Sequence, residues 1–353
     1  MNKETSDGTD FPEQVALKAI VARASLVALP HYDDEIQQDY TAQHITNVMF
    51  ACARATFVAV SSAYHLSENF DQQCESALHF LNENNTGFDV QITQASLQAQ
   101  IGVCSHREIL RLISLFDEFL PFEADFLNDH LRRIVRGQID YKWDDLDLGP
   151  EGMSPSSFFW NELIEVTESA NIWSFWREWY QGFLERTPMD WELQRRVAMI
   201  PDMDWEKGPE HIAQVIEDIR ARFALEQRLA ELESEISTLT ERNRHSIGGN
   251  NPPEEIEQEE IIQGFLVEPV QELQTQVLAE VPDKSRVRKA VEKLTALLVV
   301  VGKWTGGKLD KAVDECVKSI GKRAGDSLFA WVVLNSAAIT GIVSLARTWL
   351  NLP

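Results

Sequence analysis

The chain has 353 residues, 44% hydrophobic and 25% charged, with a formal net charge of −24. The length suits two or three domains, and the composition excludes a disordered or wholly membrane-embedded chain. The charge excludes a general affinity of the main body for nucleic acid or anionic lipid.

That charge is unevenly spread. From Lys284 onward, twelve Lys and Arg stand against five Asp and Glu, a local balance of +7 that leaves −31 on the rest. An acidic body with a basic tail suggests a separate role for the tail. Cys52, Cys74, Cys104 and Cys316 are widely spaced with no CxxC pair, and read as free thiols in a reducing compartment. Residues 1–10 are polar, read as disordered, and lack the apolar core of a secretory signal.

Residues 15–29 read as a helix stopped by Pro30. The acidic cluster His31-Tyr32-Asp33-Asp34-Glu35 reads as the first turn of the next helix, where negative charge meets the positive helix end. That helix is expected over about 33–65. Its middle, 48–60, is apolar almost all round, the pattern of a helix buried in a bundle, and Arg54 interrupts it. A helix over about 68–84 follows, ended by Asn84-Asn85-Thr86-Gly87. Residues 93–136 read as one or two helices with a break at Pro121 and a stop at Gly137. Glu75 and His79 share a helix face, but a metal site needs more ligands; His65, His79, His106 and His130 read as surface or satisfied core groups.

Residues 138–153 form an acidic loop, and Ser154-Pro155 opens a second helical unit. In it, Trp173, Trp176 and Tyr180 fall on one helix face, with Phe175 and Trp179 on the adjoining one. Such a cluster is either core packing, the reading we favour, or an aromatic interaction face; acidic and neutral neighbours disfavour nucleic acid. Asp190-Trp191 starts another helix, Pro201 ends it, and Gly208-Pro209 starts the longest one, to about Arg244. Leu225, Leu229, Leu232, Ile236 and Leu239 give it a coiled-coil seam of about two heptads, which packs back on its own domain or projects as a stalk.

Gly248-Gly249-Asn250-Asn251-Pro252-Pro253 breaks that helix and reads as an interhelical linker. The Trp-x-x-Trp-x-x-Trp-Tyr run at 173–180, with Asp204-Trp205-Glu206-Lys207-Gly208-Pro209 and the segment from Arg244 to the Asn-Asn-Pro-Pro-Glu254 linker, resembles a group of bacterial, mostly alphaproteobacterial, proteins. Those proteins carry a tryptophan-rich helical module followed by this linker. The resemblance covers about residues 155–255. It implies a bacterial source, assigns no activity and transfers no functional residue.

A further helix is expected over about 253–279, beginning with the acidic residues 254–260, and Pro282 separates it from the basic region. Residues 294–301 precede Gly302-Lys303-Trp304-Thr305-Gly306-Gly307-Lys308-Leu309, a GxxxxGK pattern. Leu309 stands where a P-loop needs Ser or Thr for magnesium, so the glycines read as a turn between helices. Residues 327–346 then carry no charge over a length that could span hydrocarbon. Asn335, Ser336, Thr340 and Ser344 dilute its hydrophobicity, and Ala337 and Gly341 form a small-xxx-small pair. The run reads either as a membrane-engaging helix, with the body kept cytoplasmic by Lys318, Lys322 and Arg323, or as a buried helix packed on 294–301.

The expected fold is all-α: an N-terminal acidic bundle (1–150), a Trp-rich module with a stalk helix (151–247), a linker and acidic helix (248–283), and a basic, apolar C-terminal hairpin (284–353). No residue stands out as catalytic, cofactor-binding or metal-binding. The candidate interaction residues are Leu328, Trp331, Val332, Ala337, Gly341, Val343 and Trp349 in the tail, and Trp173, Trp176, Trp179 and Tyr180 in the aromatic module. The expected function is non-enzymatic: an acidic body that binds a protein partner, and a tail that associates with the inner membrane or oligomerises. A scaffold with its tail buried is the alternative, and an enzyme with a site assembled from distant residues is the third.

Overall fold

The computed structural model describes residues 42–65, 69–84, 91–101, 172–185, 187–246, 260–300, 302, 315 and 326–351. Among them every regular element is helical, as expected from the sequence. The helix expected at 15–29, the acidic residues 31–35, most of 93–136, the loop 138–153, the helix opened at Ser154, the linker 248–253, Cys104, Cys316, His106, His130 and the glycine-rich residues 303–309 lie outside the described residues. The chain divides into two compact units, Met1–Ile216 and Glu217–Pro353.

The first unit is built on α1, Ala42–Tyr64. Every residue of this helix from Phe50 to Ala63 is buried, Arg54 included. A helix apolar on all sides has no solvent face to offer and is wrapped by others. Those described are α2 (Asp71–Asn84), α3 (Gln91–Gln100) and α5 (Trp191–Ala198), all packed on α1. Between α3 and α5 in sequence lies α4, Ser174–Leu184, which carries the aromatic run. Gly182 lets the chain fold back after α4: a Cβ there would sit 2.8 Å from the carbonyl oxygen of Thr187.

Asp190 caps α5, its carboxylate accepting from the amides of Glu192 and Leu193. Pro201 does not simply end that helix. It leads into a one-turn helix, α6 (Asp202–Trp205), with Asp202 and Asp204 at its positive start. Gly208 then adopts φ +94°, a left-handed conformation that favours glycine, and α7 (Pro209–Ser246) begins.

The second unit takes the greater part of α7. Over Leu225, Leu229, Leu232 and Ile236 the expected coiled-coil seam is buried within the unit's own core, so here α7 is a core element. The helix expected over 253–279 is described from Glu260, and it contains a π-helical turn, Gln263–Val267, before α8 (Glu268–Leu278). Pro269 accounts for the wide turn. Its ring would clash with the carbonyl four residues back and it has no N–H to donate, so an extra residue in the turn relieves both. α9, Lys284–Val300, packs on α8.

The uncharged run does not form one helix. It breaks at Asn335 into α10 (Asp326–Leu334) and α11 (Ser336–Leu350). The Asn335 amide donates to the carbonyl of Trp331 at 3.0 Å and the Ser336 hydroxyl to that of Val333 at 2.9 Å. Side chains that bond the preceding turn in this way compete with the helix ladder. Among the described residues no helix is long and apolar enough to cross a membrane. α11 lies instead along α9, burying Ile339, Ile342, Val343, Ala346 and Trp349 in the unit's core.

Candidate functional site

The aromatic module is an interior. Trp173, Trp176 and Trp179 are 0–1% exposed and Tyr180 is 3% exposed, so these rings present no open stacking face. Their partners come from α1: Phe57 lies 5.5 Å from Trp176 and 5.0 Å from Trp179, both edge to face. Phe50 meets Trp176 and Trp205 at 6.4 and 5.4 Å. Edge-on packing brings the positive ring edge to the negative ring face. Two of the polar tips find acceptors: the Trp179 indole N–H donates to Gln194 at 2.9 Å, and that of Trp205 to the carbonyl of Ile200 at 3.1 Å.

Against this interior sits the one buried charge of the described residues, Arg54, 3% exposed. Its guanidinium donates to Asp202 Oδ1 at 2.7 Å and to Ser76 Oγ at 3.0 Å. The Ser76 hydroxyl in turn donates to the same Asp202 oxygen. The guanidinium carbon lies 4.6 Å from the Trp205 ring and 5.0 Å from that of Phe80. Burial pulls Arg54 below its usual value, and Asp202 pushes it back up. The arrangement clamps α1, α2 and α6 together through one cation held by a carboxylate, a hydroxyl and two aromatic faces.

The chemistry of this cluster is that of a tie. Asp202 accepts from both partners, and Ser76 is bonded to that carboxylate and to the Arg54 guanidinium rather than to a His or Lys base. His65 bonds the carbonyl of Trp191, and His79 lies exposed with Glu83 at 3.4 Å. No group of three metal-binding side chains occurs among the described residues. Cys52 and Cys74 are buried free thiols, and burial pushes Cys52 up to about 12, away from nucleophilic use.

The cluster was hard to find in the sequence. Arg54 stood out only as an interruption of an apolar helix. A lone charge on a helix buried all round must find a partner, which is the signal that could have singled it out. Its carboxylate comes from 148 residues away, and nothing local marks it.

The tail candidates separate by face. Val332, Val343 and Trp349 are buried, and Trp331 packs on the same core from its edge. The Trp349 indole N–H donates to Asp218 at 2.8 Å. Ala337 is exposed and Gly341 half-buried, with no atom near the place a Gly341 Cβ would take. Leu328 belongs to α10, but its side chain is outside the described residues. No family model, curated protein or solved structure matches the chain.

Proposed function

We propose that the chain is a non-enzymatic helical scaffold that binds a protein partner through its acidic first unit, with its tail serving as part of the second unit's core. The observation that supports this reading is the tail's buried stripe: Ile339, Ile342, Val343, Ala346 and Trp349 lie against α9 at 0–1% exposure. A helix that spends its apolar side on its own unit has little left for hydrocarbon. The bonded state of Arg54, Asp202 and Ser76 agrees with a structural rather than a chemical role for the most distinctive polar cluster. Carbonate extraction of cells expressing the full chain tests the reading. The chain should be released with peripheral proteins; retention in the stripped bilayer would rule out a tail committed to the core. A melting shift with any metabolite in a broad screen would revive the enzymatic reading.

A second reading is favoured by one observation. Over 330–345 the described outer residues of α10 and α11 are uncharged, with Leu334 82% exposed and Ala330, Ala337 and Ala338 exposed. In this reading the face pairs with that of a second copy, at small residues that permit close helix approach. Light scattering on the full chain should then give twice the monomer mass, and Leu334→Lys should halve it. A monomer mass for the unaltered chain removes this reading.

A further inference from the structure

We propose that the corner between α8 and α9 is a docking surface for an anionic lipid bilayer. It does not rest on the scaffold reading and makes no use of α10 or α11. Two separate observations meet there. The first is apolar: Leu278 is 66% exposed and Val281 86%, two of six large hydrophobic side chains exposed among the described residues. The second is cationic: Lys284, Arg286, Arg288 and Lys289, all exposed, fall within the first six residues of α9.

Cations are misplaced at that end of a helix, where the backbone dipole is positive. Lys284 and Arg286 break that rule in the first turn, which marks a candidate functional feature, and Arg288 and Lys289 carry the cationic cluster into the next turn. Asp283 already serves the helix, accepting from the amides of Ser285 and Arg286. Arg286 is paired with Glu272 at 2.8 Å and Lys293 with Glu268 at 3.3 Å. Arg288 and Lys289 have no carboxylate partner among the described residues. Glu280 is the other exposed acid of the turn.

The corner is also held in shape. Arg222 donates to the carbonyls of Val277 and Ala279 at 2.5–2.8 Å, and the Gln276 side chain accepts from the amide of Asp283 at 2.7 Å. A fixed corner can present its apolar tip without ordering a loop first. Glu217–Pro353 holds seventeen Lys and Arg against twenty-one Asp and Glu, a balance of −4, so Met1–Ile216 carries the other −20 of the −24. An apolar tip beside a cluster of cations matches the lipid interface, where Leu278 and Val281 would enter the acyl boundary while the cations meet headgroup phosphates. An acidic protein surface would satisfy the cations and leave the tip exposed.

Flotation tests this with the full chain and two vesicle types, pure phosphatidylcholine and phosphatidylcholine mixed with phosphatidylglycerol. The chain should float with the anionic vesicles at low salt, be released at high salt, and stay down with the neutral ones. Arg288→Gln with Lys289→Gln should weaken binding about thirtyfold, at about 1 kcal/mol per cation near an anionic surface. Val281→Asp should weaken it too, with unchanged melting of both variants. No flotation, equal flotation with neutral lipid, or binding by the variants as strong as that of the unaltered chain would overturn the proposal. So would a light-scattering mass that falls on mutating Arg288 and Lys289, which would make a second copy the occupant. Flotation that resists salt and carbonate would overturn it as well, since a corner held by headgroup charge is released by salt.

Discussion

Arg54 and Asp202 are unequal partners. Arg54 is 4% exposed at its side chain and Asp202 49%, so the two do not lose the same thing when parted. Asp202→Ala strands a buried guanidinium and should destabilise the first unit by about 3 kcal/mol, the low end for a broken buried pair. Adding Arg54→Met replaces the stranded charge with an apolar chain of similar length and should recover part of that loss. Denaturant melts of the two single variants and the double variant measure this; a double loss equal to the sum of the singles would contradict the clamp. A second residue-scale prediction concerns acid. Arg195 first, with Arg196 adding, holds the Glu192 carboxyl at about 2 rather than 4.5. A depressed carboxyl stabilises the fold above its unfolded value and loses that contribution as pH falls through its folded one. Wild type should therefore exceed Glu192→Gln in melting temperature near neutral pH, with the gap closing between about pH 4.5 and 2. Glu192 is 39% exposed, so the gap is expected to be small and to shrink in salt. A gap independent of pH would refute this cause. Asp190 was legible as a helix start; the Glu192 pairs and Asp202 as a clamp were not, the last because its partner is distant in sequence.

At the scale of elements, the tail shows what periodicity can and cannot resolve. The absence of charge over 327–346 was plain, and both of its readings were open. What the periodicity did not show is the break at Asn335, where Asn335 and Ser336 bond the preceding turn and α11 turns one side to α9. The leucine seam of α7 was legible as an apolar stripe, but not its partner, since a stripe does not say whether the same chain or another covers it. Leu229, fully buried in this core, gives the test. Leu229→Ala should cost about 2–5 kcal/mol, as buried leucines do, against under about 1 kcal/mol for a stalk in water. A chain ending at Val281 should also lose helical signal beyond the residues removed, because α7 and α8 are left without α9 and α11. Circular dichroism reads this; a loss confined to the deleted helices would mean that α7 stands alone.

On the scale of the whole molecule, charge was the most legible property and its boundary the least. The sequence split at Lys284 gives +7 against −31, whereas the two compact units carry −20 and −4. The difference arises because the acidic α7, the 254–260 run and Glu268, Glu272, Glu280 and Asp283 share a unit with the basic α9. Such mixing neutralises the second unit and leaves the first with self-repulsion. Melting of the first unit should therefore rise as salt goes from about 0.01 M, where screening reaches about 30 Å, to about 1 M, where it reaches about 3 Å. Tryptophan fluorescence follows it; a fall with salt would mean that ion pairs outweigh repulsion. The central claim is that the tail belongs to the second unit's core. Amide hydrogen exchange of the full chain without lipid tests it most directly. Amides of Ile339 to Trp349 should be protected to the same degree as those of α9 and open with them as one unit. Fast exchange of α11 while α9 stays protected, with protection appearing only on adding vesicles, would contradict the account.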